Sequence, residues 1–192
     1  MPSRRAFTLI ELLVVLAIMG LLISIIMPSL YQARRNAERT TCATRLRDVG
    51  MAMRSYLDGN DDVYPYASFM PSYGPFPIAG TEPLYISKVL TRDAVDQLEI
   101  FKCPSDRPNG ERPAPNQGRT YFDTEGSSYA YQMRLSGRTI KDYLEQMAEH
   151  GHPVIENKVW IFRDFENFHG TGGKPGARRY LYNDGHVTDY EL

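Results

Sequence analysis

The hydropathy pattern changes character at Pro28 and again near Asp58. From Phe7 to Met27 the chain is an almost unbroken apolar run carrying one carboxylate, Glu11. About 20 such residues suffice to cross a bilayer as a helix. Pro28 removes a backbone donor and is expected to kink this helix, after which helical patterning resumes through Leu57. In that second half Cys42, Leu46, Val49, Met53 and Tyr56 recur at spacings of four and three, forming one apolar stripe on a charged helix. A globular head should pack there. Residues 29–41 offer only Leu30, Tyr31, Ala33 and Ala37 between polar positions and should be exposed. Unbroken from Phe7 to Leu57, the helix would extend about 75 Å.

Beyond it the pattern shortens. Asp58-Gly59-Asn60-Asp61-Asp62 is turn chemistry. Residues 64–80, dense in Pro, Tyr and Gly, predict an ordered loop packed over the head, because the aromatics are too frequent for disorder. A short helix is expected around Pro83–Leu90, and Ile100-Phe101-Lys102-Cys103 should enter the sheet. Pro104–Gly118 reads as a second Pro-rich loop, Ser127–Leu135 as a strand. Thr139–Glu149 is amphipathic, with Ile140, Tyr143, Leu144 and Met147 on one face. Lys158–Asp164 alternates as a strand does, with Trp160 expected in the core. Arg179–Tyr182, Asn183-Asp184-Gly185 and His186–Tyr190 predict a hairpin, since Asp-Gly takes the positive φ of a tight turn. The fold class is α+β: a long N-terminal helix, its first half membrane-spanning, packed on a small antiparallel sheet.

Charge refines this. The net charge of −1 over 192 residues hides an asymmetry: residues 31–57 carry +4 and residues 58–192 carry −6. An acidic head argues against nucleic acid as a partner, which would require a basic face. The basic stalk suits anionic lipid headgroups or acidic surfaces of neighbouring subunits, or is simply a solvated helix face. Arginines flank the apolar run on both sides, so charge alone leaves its orientation open. Glu11 costs up to about 2–3 kcal/mol near the end of a membrane helix, depending on depth, which calls for a compensating cation.

The leader Met1-Pro2-Ser3-Arg4-Arg5-Ala6 followed by Phe7-Thr8-Leu9-Ile10-Glu11 resembles the class III signal of type IV prepilins and type II secretion pseudopilins. The resemblance implies cleavage between Ala6 and Phe7 by a prepilin peptidase, N-methylation of Phe7, and pairing of Glu11 with the Phe7 amine of a neighbouring subunit. Methylation keeps that amine charged. The family usually has Gly where this chain has Ala6. Further islands, Cys103-Pro104-Ser105-Asp106, Ser127-Ser128-Tyr129-Ala130-Tyr131, and His169 with Asn183-Asp184-Gly185-His186, resemble pilin-like proteins with a C-terminal His…Asp-Gly signature. Here 14 residues separate His169 from Asp184, a wider interval than is usual in that group.

From the resemblance follow a leader at 1–6, a helix at 7–57 (7–30 in the membrane, 31–57 as stalk) and an extracytoplasmic head at 58–192. It also implies a bacterial inner-membrane protein with its leader in the cytoplasm and its head in the periplasm. The expected function is structural: a filament subunit, a type II secretion pseudopilin or alternatively a type IV pilus subunit, with Glu11 and Pro28 as assembly residues. Its partners would be other pilin-like subunits, the peptidase, the inner-membrane assembly platform and the bilayer. In that oxidising compartment Cys42 and Cys103 are compatible with one disulfide, or with two separate buried thiols. An ordinary secretory signal fits poorly, because the apolar core is too long and no Ala-x-Ala site follows. A plain signal anchor fits in length but leaves Glu11 unexplained.

An extracytoplasmic enzyme or metal-binding protein is the rival class. His169, Asp164, Asp184 and His186 could converge, but His150 and His152 do not share a helix face, and no His-Glu-x-x-His motif exists. The expected role of His169, Asp184 and Gly185 is structural: a turn at Asp184-Gly185, and a hydrogen bond from His169 across the base of the hairpin. Gly185 should matter more to stability than His169. Calcium is tested by Asp58, Asn60 and Asp62, which match positions one, three and five of an EF-hand loop, but Val63 and Phe69 stand where Gly and Glu are needed. A calcium site of loop carbonyls and Asp side chains stays open.

Overall fold

The structure is a computed structural model that describes residues 8–68, 70, 84–91 and 95–189. It divides into two compact units, Met1–Ala37 and Glu38–Leu192. The first helix, α1 (Leu9–Asp58), runs through both.

In the first unit α1 is exposed at every described position, with Leu, Ile, Val and Met side chains on all sides. A helix apolar all round has no aqueous face, and α1 is long and apolar enough to cross a membrane. Pro28 lies inside α1, which is helical on both sides of it.

The second unit is built on the other half of α1. Cys42, Leu46, Val49, Met53 and Leu57 are buried there, so the stripe ends on Leu57 rather than Tyr56, which is only partly buried. The stripe packs on a four-stranded antiparallel sheet: β1 (Tyr129–Tyr131), β2 (Trp160–Asp164), β3 (Tyr180–Tyr182) and β4 (Val187–Thr188), in that order. Phe162, at its centre, stands opposite both Tyr131 and Leu181. Helix and sheet approach closely at Gly50, where an added Cβ would lie 3.1 Å from a Leu181 methyl. A Cβ at position 50 requires the Leu181 side chain to give by a few tenths of an ångström.

Tyrosine fills much of the core. Tyr64, Tyr121, Tyr129, Tyr131 and Tyr182 are almost wholly buried, and each phenol finds an acceptor, as buried hydroxyls require. Tyr131 donates to the Pro65 carbonyl at 3.1 Å, Tyr64 to Asn183 at 2.5 Å, and Tyr129 to the Cys42 carbonyl at 3.3 Å. These bonds stitch the 64–68 loop, the hairpin and α1 to one another.

The short helix appears as α2 (Ile86–Leu90), and α3 (Tyr121–Glu125) is an addition to the expected elements. α4 (Ile140–Glu149) starts at a capping box between Thr139 and Asp142, and its predicted face (Ile140, Tyr143, Leu144, Met147) meets the core.

Three expectations need correction. Ile100–Cys103 is not strand: Val95–Phe101 is a 3-10 helix, and Cys103 follows it in a loop. Ser127–Leu135 holds only the three residues of β1. The Ser127 side chain bonds the Tyr129 backbone just before the strand, and a 3-10 turn at Met133–Leu135 brings Gly137 to donate to the Tyr64 carbonyl. Trp160 lies in β2 but is only partly buried, with the Arg163 guanidinium 5.2 Å above its ring. Of the 64–80 loop, Tyr64, Ala67 and Met70 are buried, and 69 and 71–80 lie outside the described residues.

Candidate functional site

Ala6 and Phe7 lie outside the described residues. Glu11 occupies the first turn of α1, where Thr8 precedes the helix in a Thr-x-x-Glu arrangement. The Thr8 backbone N–H and hydroxyl both donate to Glu11 Oε2, at 2.9 and 2.8 Å, and the Glu11 N–H donates to the Thr8 hydroxyl at 3.3 Å. This is a capping box, so Glu11 has a role within its own chain. The Thr-x-x-Glu spacing at Thr8 and Glu11 carries that capping signal in the sequence itself.

A second constellation joins α1 to the head. Cys42 and Cys103 form a disulfide with Cα atoms 5.0 Å apart. Around it gather the islands that were scattered in the sequence. The Cys103 N–H donates to the Ser128 hydroxyl at 3.0 Å, and that hydroxyl donates to Asp106 Oδ2 at 2.8 Å. His169 Nε2 stands 3.8 Å from Cys103 Sγ and 3.3 Å from Asp164 Oδ2. Asp164 ends β2 and also accepts the Arg179 N–H at 2.7 Å, closing the loop between β2 and β3 at its base. Burial pushes the Asp164 carboxyl above its ordinary range, opposed by the hydrogen bond and charge of His169. The His169 and Asp164 side chains are 1% and 0% exposed.

Asp184 does not join them. Its Oδ1 accepts from the His186 backbone at 3.1 Å and contacts the His186 ring, and it shapes the turn between β3 and β4. Gly185 there has φ +87°. The four residues His169, Asp164, Asp184 and His186 therefore form two pairs with separate tasks. His169 bonds Asp164 at the end of β2, not a group at the base of the β3–β4 hairpin. His150 Nδ1 lies 2.7 Å from the Gln146 carbonyl at the end of α4. Asp58 and Asp62, weighed for calcium, pair with Arg54 at 3.0 and 3.8 Å.

A further network centres on Arg112. The Arg112 side chain, 3% exposed, pairs with Asp106 at 3.1 Å and Glu166 at 3.0 Å, and its guanidinium lies 4.0 Å above the Tyr121 ring. The Tyr121 hydroxyl donates to Glu166 at 2.5 Å. Arg112 sits in a Pro-rich loop of ordinary polarity, where periodicity carries no sign of burial.

These observations agree with what the chain resembles. Residues 1–27 match the prokaryotic N-terminal methylation motif. A type IV major pilin protein of Myxococcus xanthus, PilA, is 32% identical over 76 residues, a match covering 38% of this chain and 34% of the relative. The chain thus spans about a third of the length of the curated relative it matches. No solved structure matches. With the methylation motif, the long apolar helix and the small antiparallel sheet, the chain resembles the type IV pilin-like proteins.

Proposed function

We propose that the chain is a structural subunit of a helical filament, held in the inner membrane before assembly. A prepilin peptidase cuts after Ala6, and Phe7 becomes the methylated N-terminus. Residues 7–30 cross the bilayer, 31–57 form the stalk, and 58–192 form the periplasmic head. On assembly the apolar helices leave the lipid and bundle with those of other pilin-like subunits at the assembly platform, while the heads tile the outside. The observation that carries this reading is the methylation motif over residues 1–27, which opens a helix whose large apolar side chains from Leu9 to Met27 are all exposed. Such a face is stable only in lipid or against its own kind.

Of the two filament systems we favour type II secretion, on the resemblance of the head islands to pilin-like proteins with a C-terminal His…Asp-Gly signature. A type IV pilus is the second reading, favoured by the similarity to the Myxococcus pilin. N-terminal sequencing of the mature protein tests the shared part: methylated Phe7 is expected, and an intact Met1 overturns it. Deletion of the gene separates the two systems. Loss of exported proteins from the medium supports secretion, and loss of surface fibres with secretion intact supports the pilus.

A further inference from the structure

The disulfide has a neighbourhood it does not need in order to be a crosslink. The two sulfurs and an imidazole nitrogen of Cys42, Cys103 and His169 lie within 4.8 Å of one another, and Asp164 adds a carboxylate 3.3 Å from that nitrogen. Asp164 Oδ1 is buried without a hydrogen-bond partner. A tetrahedral Zn2+ with bonds of about 2.3 Å to sulfur and about 2.0 Å to nitrogen and oxygen separates its ligand atoms by about 3.3 Å for N and O and about 3.5 Å for S and N. The chain shows 3.3 Å from His169 Nε2 to Asp164 and 3.8 Å from the same nitrogen to Cys103 Sγ. The edge between the two sulfurs is closed by the disulfide bond and opens when that bond is reduced, which frees Cys42 Sγ to move.

We propose that reduction of Cys42–Cys103 turns this cluster into a site for a thiophilic divalent cation such as Zn2+, with Cys42, Cys103, His169 and Asp164 as its ligands. A dithiol supplies two electrons and two protons: the S–S bond breaks, two thiols form, and the dithiol becomes a disulfide. The cation then displaces one proton from each thiol, and two Zn–S bonds form. Thiolate and imidazole ligands select a soft cation over calcium or magnesium. Two thiolates and one carboxylate against a divalent ion leave a net charge of −1, and the Arg179 amide on Asp164 helps to hold the carboxylate in place. The link between α1 and the loop that follows the 3-10 helix is then made by metal in reducing surroundings and by the disulfide in oxidising ones.

The test uses the full-length chain in detergent micelles, oxidised or reduced with a phosphine, titrated anaerobically with Co2+. The reduced chain should bind one Co2+, with the thiolate-to-cobalt charge-transfer band and the intense visible bands of a tetrahedral site, and Zn2+ should displace it. The oxidised chain should give neither band. His169→Ala and Asp164→Asn should each weaken cobalt binding by about tenfold or more, measured by competition with a chelator. Circular dichroism follows the fold throughout. A reduced chain that gives no tetrahedral spectrum in excess Co2+ overturns the proposal, whether it stays folded or not, because a fitting cation would hold the fold. Binding left unchanged in both variants overturns it too, since two thiolates alone then account for the metal.

Discussion

Removing the imidazole of His169 leaves the Asp164 carboxylate, which burial already pushes above its ordinary range, without the hydrogen bond that opposes that push. His169→Ala also opens a void beside a side chain with 0% exposure. The expected cost is about 2 kcal/mol or more. Gly185 stands in open space, with nothing within 4 Å of an added Cβ, so Gly185→Ala meets only the strain of φ +87°, about 1 kcal/mol. His169→Ala should therefore cost more than Gly185→Ala, and urea unfolding of both variants in micelles checks it; a larger loss for Gly185→Ala would show that the Asp164 pair contributes little. Arg112→Met is a sharper case. Burial raises the Asp106 carboxyl, while Ser128, the Phe122 amide and Arg112 pull it down. Its folded pKa lies above the unfolded 3.8, so the folded state keeps this proton to higher pH, and burying the charge costs stability as pH rises through the folded value. Without Arg112 that cost grows. The variant should lose about 3–5 kcal/mol at neutral pH, and the loss should shrink on acidification toward 3.8. A loss that stays constant with pH would locate the effect in lost packing on Tyr121 instead.

Among the elements, those with a long period were legible and those held by side-chain hydrogen bonds were not. The α1 stripe, the α4 face and the Asp-Gly hairpin each announce themselves through spacing or turn chemistry. β1 kept three of the nine residues expected of it because Ser127 bonds the backbone ahead of the strand and the chain turns at Met133 to meet Tyr64. Neither event leaves a hydropathy signature. The same holds for the site. The islands around Cys103, Ser128 and His169 were visible as words, but that Cys103, Ser128, Asp106, His169 and Asp164 form one knot follows only from the fold. The Cys42–Cys103 bond pins α1 to that knot across a sequence separation of 61, and closing such a loop stabilises by about 4 kcal/mol in the chain-entropy model. Unfolded, unreduced protein should therefore bind no thiol reagent, and two reactive thiols per chain would remove the bridge from the account. Cys42→Ser with Cys103→Ser should lower stability by up to that amount.

For the whole molecule the decisive residue is again Glu11, because the cap that the structure shows and the intersubunit pairing that we propose make different demands on it. Within its own chain it caps α1 through Thr8; in a filament it would meet the methylated Phe7 amine of the next subunit. The two roles require different chemistry. A capping box needs an acceptor at the third helical position, which glutamine supplies almost as well as glutamate. Pairing with a charged amine in a low-dielectric bundle needs the negative charge, and a neutral amide leaves that cation uncompensated. Glu11→Gln should accordingly insert, fold and be cleaved like the unaltered chain, with the first turn of α1 intact, yet be depleted from filaments when co-expressed with it. Glu11→Val should behave the same way in assembly and add a frayed first turn. The measurement is the ratio of variant to unaltered protein in membranes and in sheared surface or periplasmic filaments, read by mass spectrometry of the mature N-terminal peptide. If Glu11→Gln enters filaments in proportion to its abundance while Glu11→Val does not, the carboxylate serves only its own helix, and the intersubunit ion pair has no part in assembly.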